Sequence, residues 1–400
     1  SRMVKKGAKV FVTGATGFIG SRLVKTLIQQ YDCEVTVLVR DFSKLSSLSR
    51  YPVNIIAGGL DNENALAEGT KNADIVFNLG SAMDGSTEYF KHINVASLGR
   101  FLEISKQNGV QKFVHTSTIS VYGYPESGII NENRKRQYGN GDYADTKLDG
   151  EKLVVDFAKQ NDFQANVIQP TIVYGPFGGC WTVARLLGFP RSRVILVNGG
   201  DGICSAIYVD DVVNGMIALA NKDTICGECF LVSGEEKVTW KEFFGYYSEM
   251  LGGTEFIEMS KEDALEYYQN TQRVPSTIAQ LKDLFRDQEL RHRIRDLPPV
   301  KIPYQFVKKC LPRKLSDSVI GQVVDHSEAF SVTNDSQEVD KPIWTLIPEE
   351  VSLHASKAEV SVVKAKNALG YSTEYSIKKG MKMIQRWAKW AGYLNSDFRK

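Results

Sequence analysis

The stretch Thr13-Gly14-Ala15-Thr16-Gly17-Phe18-Ile19-Gly20 decides the fold of this 400-residue chain. It follows an apolar run at residues 9–13, whose β-branched and aromatic side chains are typical of a buried strand. Its last three residues begin the segment 18–30, in which apolar side chains recur at helical spacing. The glycines let the strand turn tightly into the helix and let a pyrophosphate reach the helix N-terminal amides. The stretch therefore predicts a dinucleotide site, with a glycine-rich turn that holds no ligand as the alternative.

Similar apolar runs follow along the chain, and helical stretches separate most of them. They lie at residues 35–39, 53–56, 75–79, 112–116 and 166–169. Strands that alternate with helices indicate a parallel sheet covered on both faces. The predicted fold class is therefore α/β, a Rossmann-type doubly wound parallel sheet.

The predicted domain boundaries lie where this regularity ends. Residues 1–179 are predicted to form the dinucleotide-binding domain, and segments within 206–233 are predicted to return to it. Residues 180–205 and 234–400 are predicted to form a smaller, mainly helical substrate-binding cap. Its last helix carries apolar side chains three or four residues apart, at Ile377, Met381, Ile384, Trp387 and Trp390.

The composition is that of an ordinary globular protein, with 42% apolar and 24% charged residues. A formal net charge of +2 gives no reason to expect a nucleic-acid partner. Six thinly spread cysteines fit a reducing cytosol, and the five histidines never approach metal-ligand spacing. No apolar run is long enough to span a membrane. We therefore expect a cytoplasmic protein with no metal site and no transmembrane segment.

Cys226-Gly-Glu-Cys229 matches the spacing of a redox motif. However, Cys229 opens the apolar run 229–233, which is typical of a buried strand. A redox pair needs a helix N-terminus to lower its thiol pKa. The sequence therefore favours a structural role for both cysteines.

The end of the second predicted strand decides which dinucleotide fits. An acid there would bind the adenosine ribose of NAD, whereas a cation would accommodate the 2′-phosphate of NADP. Arg40 follows this strand, and its guanidinium suits a phosphate. Asp41 is the competing candidate, although it would project from the other side of the strand end. NADP is therefore the favoured cofactor and NAD the alternative, unless Arg40 is an ordinary surface residue.

Tyr143 and Lys147 lie one helical turn apart, so their side chains share one helix face. An ammonium beside the phenol would lower its pKa toward neutrality and suit it to proton transfer. The spacing alone is common by chance. Ser117, Thr118 and Ser120 strengthen the case, because they follow a predicted strand at its carboxyl end, where open α/β sheets bind ligands. Together with the glycine stretch, the pair predicts hydride-transfer chemistry.

The chain resembles the extended short-chain dehydrogenase/reductases, the NAD(P)-dependent epimerase/dehydratase family. The motifs that carry the resemblance run along nearly the whole chain: TGATGFIG at 13–20, ADIVFNLG at 73–80, HINV at 92–95, Thr-Ser-Thr-x-x-Val-Tyr-Gly at 116–123, YADTK at 143–147, QPTIVYGP at 169–176, YVDDV at 208–212 and KAKNALGY at 364–371. So many matches in order make the family resemblance specific. They say much less about the substrate.

The resemblance implies that Tyr143 gives or takes the proton, and that Lys147 lowers its pKa and binds the nicotinamide ribose. It implies that Thr118 completes the triad and that Asn94 lies on the helix behind the site. The backbone at 171–173 would meet the carboxamide. The implied cofactor-binding positions are Gly14, Thr16, Gly17, Phe18, Ile19, Arg40, Leu60, Gly80, Thr116, Tyr143, Lys147, Pro170 and Ile172. A homodimer through helices near 90–107 and 143–159 is also implied.

Some residues depart from the family's patterns. Gly58-Gly59-Leu60 carries no acid where Gly-Asp-Leu often borders the adenine pocket, and Gly80-Ser81 replaces two small alanines. Gln169 replaces a common arginine. Ile119-Ser120 stands where dehydratases of the family carry an Asp-Glu pair, which argues against dehydration.

A further departure concerns the substrate. Cys204 stands where nucleotide-sugar epimerases often carry an arginine for the diphosphate. Arg185, Arg191 or Arg193 could substitute for it. The basic segment 286–314, with nine Lys/Arg against three Asp/Glu, could bind an anionic substrate group or a membrane surface, or be a solvated helix and loop.

Hydroxysteroid- and dihydroflavonol-type reductases fit Arg40 best, because a reductase draws on a dissociable NADPH pool. The sequence therefore predicts an NADP(H)-preferring oxidoreductase that moves hydride to or from a carbonyl or hydroxyl carbon. The predicted substrate is a small carbonyl or sugar-type compound, which could carry an anionic group. A nucleotide-sugar epimerase that retains NAD is the alternative, and a non-catalytic NADP-binding sensor is a second one.

Overall fold

The computed structural model describes residues 3–272 and 341–394. Ser1–Tyr268 and Ile343–Lys400 form one compact unit, to which the sheet and the site belong. Gln269–Pro342 form a second unit, nearly all of it outside the described residues. The basic segment 286–314 also lies outside the described residues, so its proposed roles stay predictions.

The strands of the described residues are short. They are β1 (Lys9–Thr13), β2 (Glu34–Val39), β3 (Asn54–Ala57), β4 (Ile75–Asn78), β5 (Lys112–Thr116), β6 (Ile129–Ile130), β7 (Ala165–Pro170), β8 (Ile172–Tyr174), β9 (Arg193–Val197), β10 (Ala206–Tyr208), β11 (Cys229–Val232), β12 (Phe256–Met259), β13 (Ile343–Trp344) and β14 (Glu359–Val360).

Helices connect most of them. The α-helices are α1 (Phe18–Gln29), α2 (Glu63–Thr70), α3 (Thr87–Lys91), α4 (Leu98–Gln107), α5 (Asp142–Asn161), α6 (Ala184–Gly188), α7 (Val209–Ala220), α8 (Trp240–Leu251), α9 (Lys261–Gln272), α10 (Pro348–Ala355), α11 (Val363–Leu369) and α12 (Ile377–Trp390). A π-helical turn, His92–Ser97, joins α3 to α4.

Seven strands form one parallel sheet in the order β11-β7-β5-β4-β1-β2-β3. The order in which the chain adds strands reverses at β1. Strands β2 and β3 lie to one side of β1, and β4, β5, β7 and β11 lie to the other. Such a reversal opens a crevice beyond the carboxyl ends of the two central strands. The predicted fold class, a Rossmann-type doubly wound parallel sheet, is confirmed.

Each face of the sheet is covered by an apolar layer. On one face, α1, α7 and α11 supply a core that includes Leu23, Val213 and Leu369. On the other face, α2, α4 and α5 supply a second core, represented by Phe101 and Val154. Because both faces are buried, the strands are apolar runs without polar alternation. This is why the sequence showed them clearly.

The segment predicted to form the cap contains helices and a small sheet. Three parallel strands lie in the order β12-β9-β13. Helices α8 and α12 contribute to an aromatic core beside them, which includes Trp240, Phe243 and Ile384. The sequence did not reveal the three strands of this small sheet, because each pairs only with segments far away in sequence, as Arg193 does with Ile343. The predicted domain boundaries themselves stay a prediction.

Candidate active site

The glycine turn between β1 and α1 is built for close backbone approach. Gly14 has a φ of +68°, and a Cβ there would lie 2.7 Å from the backbone nitrogen of Gly80. A Cβ on Gly20 would lie 2.1 Å from the Gly14 carbonyl oxygen. Gly17 is the N-cap of α1, with no side-chain cap and no acid in the first turn. The amides of this helix end are therefore available to a phosphate, as a dinucleotide site requires.

Other predicted cofactor residues surround this turn. Thr16, Phe18 and Ile19 are half-buried at the start of α1. The Phe18 ring packs between the turn and the loop after β8, because a Cβ on Gly178 in that loop would lie 3.0 Å from the ring. Leu60 and Gly80 line a small cavity at the carboxyl end of the sheet, and Lys147 and Asn94 line the same cavity. These predicted residues therefore do come together.

Arg40 and Asp41 differ in what they already bind. Arg40 is exposed at the end of β2, and it donates a hydrogen bond of 2.9 Å to the Tyr89 hydroxyl. The Asp41 carboxylate accepts hydrogen bonds from the backbone nitrogen and the hydroxyl of Ser43, at 3.0 and 2.7 Å. These bonds hold the pKa of Asp41 below its usual value. Arg40 therefore offers its remaining donors to solvent, whereas Asp41 is used in its own turn.

Gly58-Gly59-Leu60 carries no acid within the motif, but the carboxylate of the next residue, Asp61, lies beside it. A Cβ on Gly59 would lie 2.7 Å from the Asp61 carboxylate, which therefore fills the space beside this glycine. Asp61 follows the motif instead of standing within it, so the motif alone does not reveal this acid. Its other neighbour is His92, at 3.8 Å.

The predicted acid/base pair lies on α5. Tyr143 is in the first turn, half-buried against Phe90 and Ile93. Lys147 follows one turn later, 4% exposed, and its ammonium donates a hydrogen bond to the Thr116 carbonyl at the end of β5. This bond fixes the lysine between α5 and the sheet.

The expected lowering of the Tyr143 pKa is not found. Burial raises the pKa of Tyr143 to about 12, and nearby Tyr124 adds to the rise. Lys147 does not counteract this, because its ammonium is directed at the Thr116 carbonyl. Burial lowers the pKa of Lys147 itself to about 8, although Glu151 opposes the shift. The phenol therefore stays protonated at neutral pH.

The three hydroxyl groups after β5 have different partners. Ser117 is buried and donates to the Glu151 carboxylate at 2.9 Å, so it faces away from the crevice. Thr118 caps the short 3-10 helix Ile119–Tyr122, and its hydroxyl donates to the Ser120 hydroxyl at 3.3 Å. Thr118 is therefore the one of the pair Ser117 and Thr118 that a substrate could meet.

A hydrogen-bonded chain that the sequence did not reveal runs behind this site. The Thr13 hydroxyl donates to Asn78 Oδ1 at 2.6 Å, and Asn78 Nδ2 lies 3.0 Å from His115 Nδ1. Nδ1 is then the acceptor, so the proton of this neutral histidine is on Nε2. Burial and Lys147 hold its pKa well below the usual value. Among the described residues Nε2 has no partner, and His115 lines the small cavity of about 10 Å³, which is close to the space of one water molecule.

The position of Gln169 is explained by a buried network around Glu151. Gln169 donates to the Glu151 carboxylate at 2.7 Å and accepts a hydrogen bond of 2.8 Å from the Tyr122 hydroxyl. The cation that Glu151 needs comes from Arg136, at 2.9 Å. Arg136 lies in the loop before α5, far from Gln169 in sequence. The sequence therefore shows that Gln169 stands in place of the common arginine, but not that Arg136 supplies the cation instead.

The remaining predicted residues have structural contacts. Asn94 lies on the π-helical turn, where its side chain holds the Ala82 amide at 2.8 Å and donates to Thr146 on α5 at 3.1 Å. Pro170 ends β7, and the Ile172 amide already donates to the Ser205 carbonyl at 3.0 Å. The Thr171 amide likewise donates to Val232. Both amides already have acceptors within the fold, and the expected contact of this backbone with the carboxamide stays a prediction.

The cysteine pair has the structural role that the sequence favoured. Cys229 opens β11, and burial raises its pKa far above the usual value. Cys226 and Cys229 are both free thiols. Among the described residues, no cluster of side chains could hold a metal ion, and no helix is long and apolar enough to cross a membrane.

Comparison with known proteins decides the family. Residues 10–232 match the NAD dependent epimerase/dehydratase family. The chain belongs to this family. Members of this epimerase/dehydratase family are NAD(P)-dependent enzymes, and the predicted resemblance and enzyme class are confirmed.

Individual relatives of this family differ in activity. A UDP-glucose epimerase of uncharacterised status, YtcB of Bacillus subtilis, is 27% identical over 64% of this chain and 87% of that protein. A 2-alkyl-3-oxoalkanoate reductase of Shewanella oneidensis is 27% identical over 59% of this chain and 64% of that protein. A crystal structure of UDP-glucuronic acid 4-epimerase from Bacillus cereus, in complex with UDP-glucuronic acid and NAD, has a TM-score of 0.63 at 19% identity, covering 96% of this chain and 99% of that one.

Proposed function

We propose that this protein is an NADP(H)-preferring oxidoreductase that moves hydride to or from a carbonyl or hydroxyl carbon of a small substrate. The observation that carries the proposal is the pair on α5, Tyr143 and Lys147, beside Thr118 at the carboxyl end of β5. The glycine turn lies at the same edge of the sheet, two strands away. A nucleotide site and a proton site therefore share one crevice.

NADP(H), when bound, supplies or accepts the hydride. In the reducing direction, Tyr143 gives its proton to the substrate oxygen, and its raised pKa means that this proton is present at neutral pH. The Thr118 hydroxyl donates a second hydrogen bond to the same oxygen. The Lys147 ammonium, which binds the Thr116 carbonyl while the phenol is protonated, would turn toward the phenolate left behind and stabilise it by its positive charge.

Arg40 supports the preference for NADP. It is exposed at the end of β2, and no ion pair joins it to an acid among the described residues. A 2′-phosphate would accept hydrogen bonds from its free donors. The competing Asp41 is held by Ser43. We also propose a cytosolic homodimer.

A nucleotide-sugar epimerase that retains NAD is the second candidate. It is favoured by the relatives, since YtcB and the Bacillus cereus enzyme carry that activity in their names. An epimerase uses the same tyrosine for proton transfer but returns the hydride to the product. The two candidates therefore differ in net redox change and in whether the dinucleotide dissociates.

The test compares wild type, Tyr143→Phe and a matched Tyr138→Phe control. Tyr138 is exposed in the loop before α5, where its hydroxyl donates to Asp149. We expect Tyr143→Phe to lose turnover by about 100-fold or more, with NADPH affinity unchanged, on a panel of carbonyl compounds. The control should match wild type.

Other outcomes separate the alternatives. Interconversion of UDP-sugars by a protein that carries tightly held NAD, without net redox change, would establish the epimerase. NADPH binding without turnover on any carbonyl or UDP-sugar would point to the sensor. Full activity of Tyr143→Phe would refute the role of the tyrosine.

A further inference from the structure

The helix α12 has an exposed side that is strongly basic. Its buried side, with Met381 and Ile384, packs in the aromatic core of Trp240 and Phe243. The helix contains five Lys and Arg residues and no Asp or Glu. Since the whole chain has 49 Lys and Arg against 47 Asp and Glu, its net charge would be negative without this helix. The five exposed cations are Lys378, Lys379, Lys382, Arg386 and Lys389.

None of these five cations is paired with an acid among the described residues. No carboxylate in that part of the chain lies within 4.0 Å of their nitrogens. Lys379 donates to the Glu374 carbonyl oxygen at 2.9 Å, and its ammonium lies 4.1 Å from the centre of the Tyr375 ring, but neither contact neutralises it. The acid beside the first residue of the helix, Glu236, accepts from the Ile377 amide at 2.5 Å. The positive charge of α12 therefore faces solvent.

An aromatic patch borders the cations. Trp390 continues the apolar spacing of the helix, yet its side chain is 76% exposed. It follows Arg386 by four residues, so it lies on the basic side of α12. Trp387, three residues earlier, is half-buried, and its ring centre lies 5.0 Å from that of Phe177. Large apolar rings therefore lie next to the cations at the surface.

Phe177 is exposed although its backbone is strained. It lies in the loop after β8 with a φ of +70°, in the left-handed region that disfavours a bulky side chain. Its side chain is 52% exposed, so burial does little to offset this strain. Strained residues of this kind cluster at functional sites. We call the five cations of α12 together with Phe177, Trp387 and Trp390 the α12 surface.

The chemistry of the α12 surface fits an anionic lipid bilayer. Lysine and arginine side chains are attracted to the negative headgroups of such a bilayer, and tryptophan rings favour the boundary between headgroups and acyl chains. A second copy of this chain fits less well, because it would bring the same five cations against the first five and be repelled.

We propose that the α12 surface binds an anionic lipid bilayer, with its cations at the headgroups and the rings of Phe177 and Trp390 at the boundary with the acyl chains. The contact is peripheral, and among the described residues no helix is long and apolar enough to cross a membrane. The inference does not rest on the proposed function, because it concerns where the protein is held and not which substrate it converts.

Co-sedimentation of the full-length protein with lipid vesicles tests the proposal. The wild type should sediment with phosphatidylcholine vesicles that contain about 30% phosphatidylserine, since anionic lipids attract basic segments. It should stay in the supernatant with vesicles of phosphatidylcholine alone. Added salt should reduce the bound fraction, because it screens the attraction between the cations and the headgroups.

A charge-reversed double variant locates the contact. Lys382→Glu with Arg386→Glu should weaken vesicle binding about thirtyfold or more, because each basic side chain at an anionic surface contributes about fivefold. Lys71→Glu with Lys135→Glu is the matched control. It changes two exposed cations elsewhere and gives the same net charge, so it should bind as the wild type does. Denaturant unfolding shows that each variant is folded.

The aromatic patch is tested by Trp390→Gln, which should weaken vesicle binding about tenfold through the loss of buried apolar area. The control is Val363→Gln, at a side chain that is 58% exposed at the start of α11, and it should bind as the wild type does. If Trp390→Gln does not fold, the two charge-reversed double variants decide.

Three results would overturn the proposal. The first is a wild type that does not bind the anionic vesicles, or that binds neutral vesicles equally well. The second is an equal loss in the two charge-reversed double variants, which would reflect net charge alone. The third is retention on immobilised polyaspartate without vesicle binding, which would indicate an acidic protein as the partner instead.

Discussion

Lys147 carries the positive charge on which the proposed proton transfer depends, and its buried surroundings disfavour the charged form. Burial between α5 and the sheet lowers its pKa to about 8, while Glu151 one turn further along limits the shift. Tyr143 has the opposite tendency, since burial keeps its proton on. The proposed active form for reduction therefore has a protonated Tyr143 phenol and a charged Lys147 ammonium.

This form predicts the pH dependence of reduction. Lys147 loses its proton as the pH rises through about 8, whereas Tyr143 keeps its proton to about 12. We expect kcat/KM for carbonyl reduction by NADPH to fall above pH 8, because kcat/KM reports the ionisations of the free enzyme. Glu151→Gln should move this fall to lower pH. A profile that stays flat to pH 10 would contradict the role of Lys147.

Arg40 is the second residue whose chemistry can be tested alone. Arg40→Gln removes the guanidinium beside the expected 2′-phosphate, and a hydrogen bond to a charged group is worth about 1.5–3 kcal/mol. We expect the Kd for NADPH to rise about tenfold or more, and the Kd for NADH to change little. Asp41→Asn is the matched control, because its carboxylate serves Ser43. Equal losses for both nucleotides would remove the basis for NADP preference.

At the scale of elements, α1 and α5 position the two halves of the site. Helix α1 begins at the glycine turn, with its first amides free. Helix α5 carries Tyr143, Lys147 and Glu151 on one face at intervals of four residues. It packs closely on the turn that bears Asn94, because a Cβ on Gly150 would lie 2.8 Å from the Asn94 carbonyl oxygen. Each helix thus depends on a glycine contact.

The contact of α1 predicts the effect of Gly20→Ala. The new Cβ would lie 2.1 Å from the Gly14 carbonyl oxygen, so the turn must shift. We expect a loss of about 1–3 kcal/mol in the free energy of unfolding, and a weaker affinity for either dinucleotide. Gly245→Ala, in α8 with nothing within 4 Å, should be neutral or stabilising. Denaturant unfolding and nucleotide titration measure both, and an unaltered Gly20→Ala would show that the turn can adjust.

At the scale of the whole molecule, Glu151 connects parts of the chain that lie far apart. It is 3% exposed and binds Ser117 after β5, Gln169 on β7 and Arg136 in the loop before α5. The Arg136 guanidinium also lies 4.7 Å from the centre of the Tyr122 ring. These contacts hold α5, and thus the acid/base pair, against the sheet.

We expect removal of the Arg136 guanidinium to lower the stability of the fold strongly. Arg136→Met leaves the Glu151 carboxylate buried and unpaired, which costs about 3–5 kcal/mol in comparable buried pairs. Gln169→Arg in the same background should restore most of this loss, because Gln169 already contacts Glu151 at 2.7 Å. Arg100→Met, whose pair with Glu63 is exposed, is the control and should change little. Denaturant unfolding that shows no loss for Arg136→Met would contradict this account.

Much of the fold could be predicted because its signals are local. The strands of the main sheet are buried on both faces and stand out as apolar runs, and the helix face shared by Tyr143 and Lys147 follows from their spacing. The Tyr143 pKa could not be predicted from that spacing. It depends on where the Lys147 ammonium points, and the Thr116 carbonyl on another element decides that direction.

The sequence by itself determined the doubly wound sheet, the glycine turn at its centre and the helix face that Tyr143 and Lys147 share. These rest on backbone conformation and periodicity, which neighbouring residues dictate. Only the tertiary structure decided that Arg136 neutralises Glu151 and that the Thr116 carbonyl binds the Lys147 ammonium. Electrostatic partners are chosen by proximity in space, and residues tens of positions apart become neighbours only when the sheet and the cap assemble.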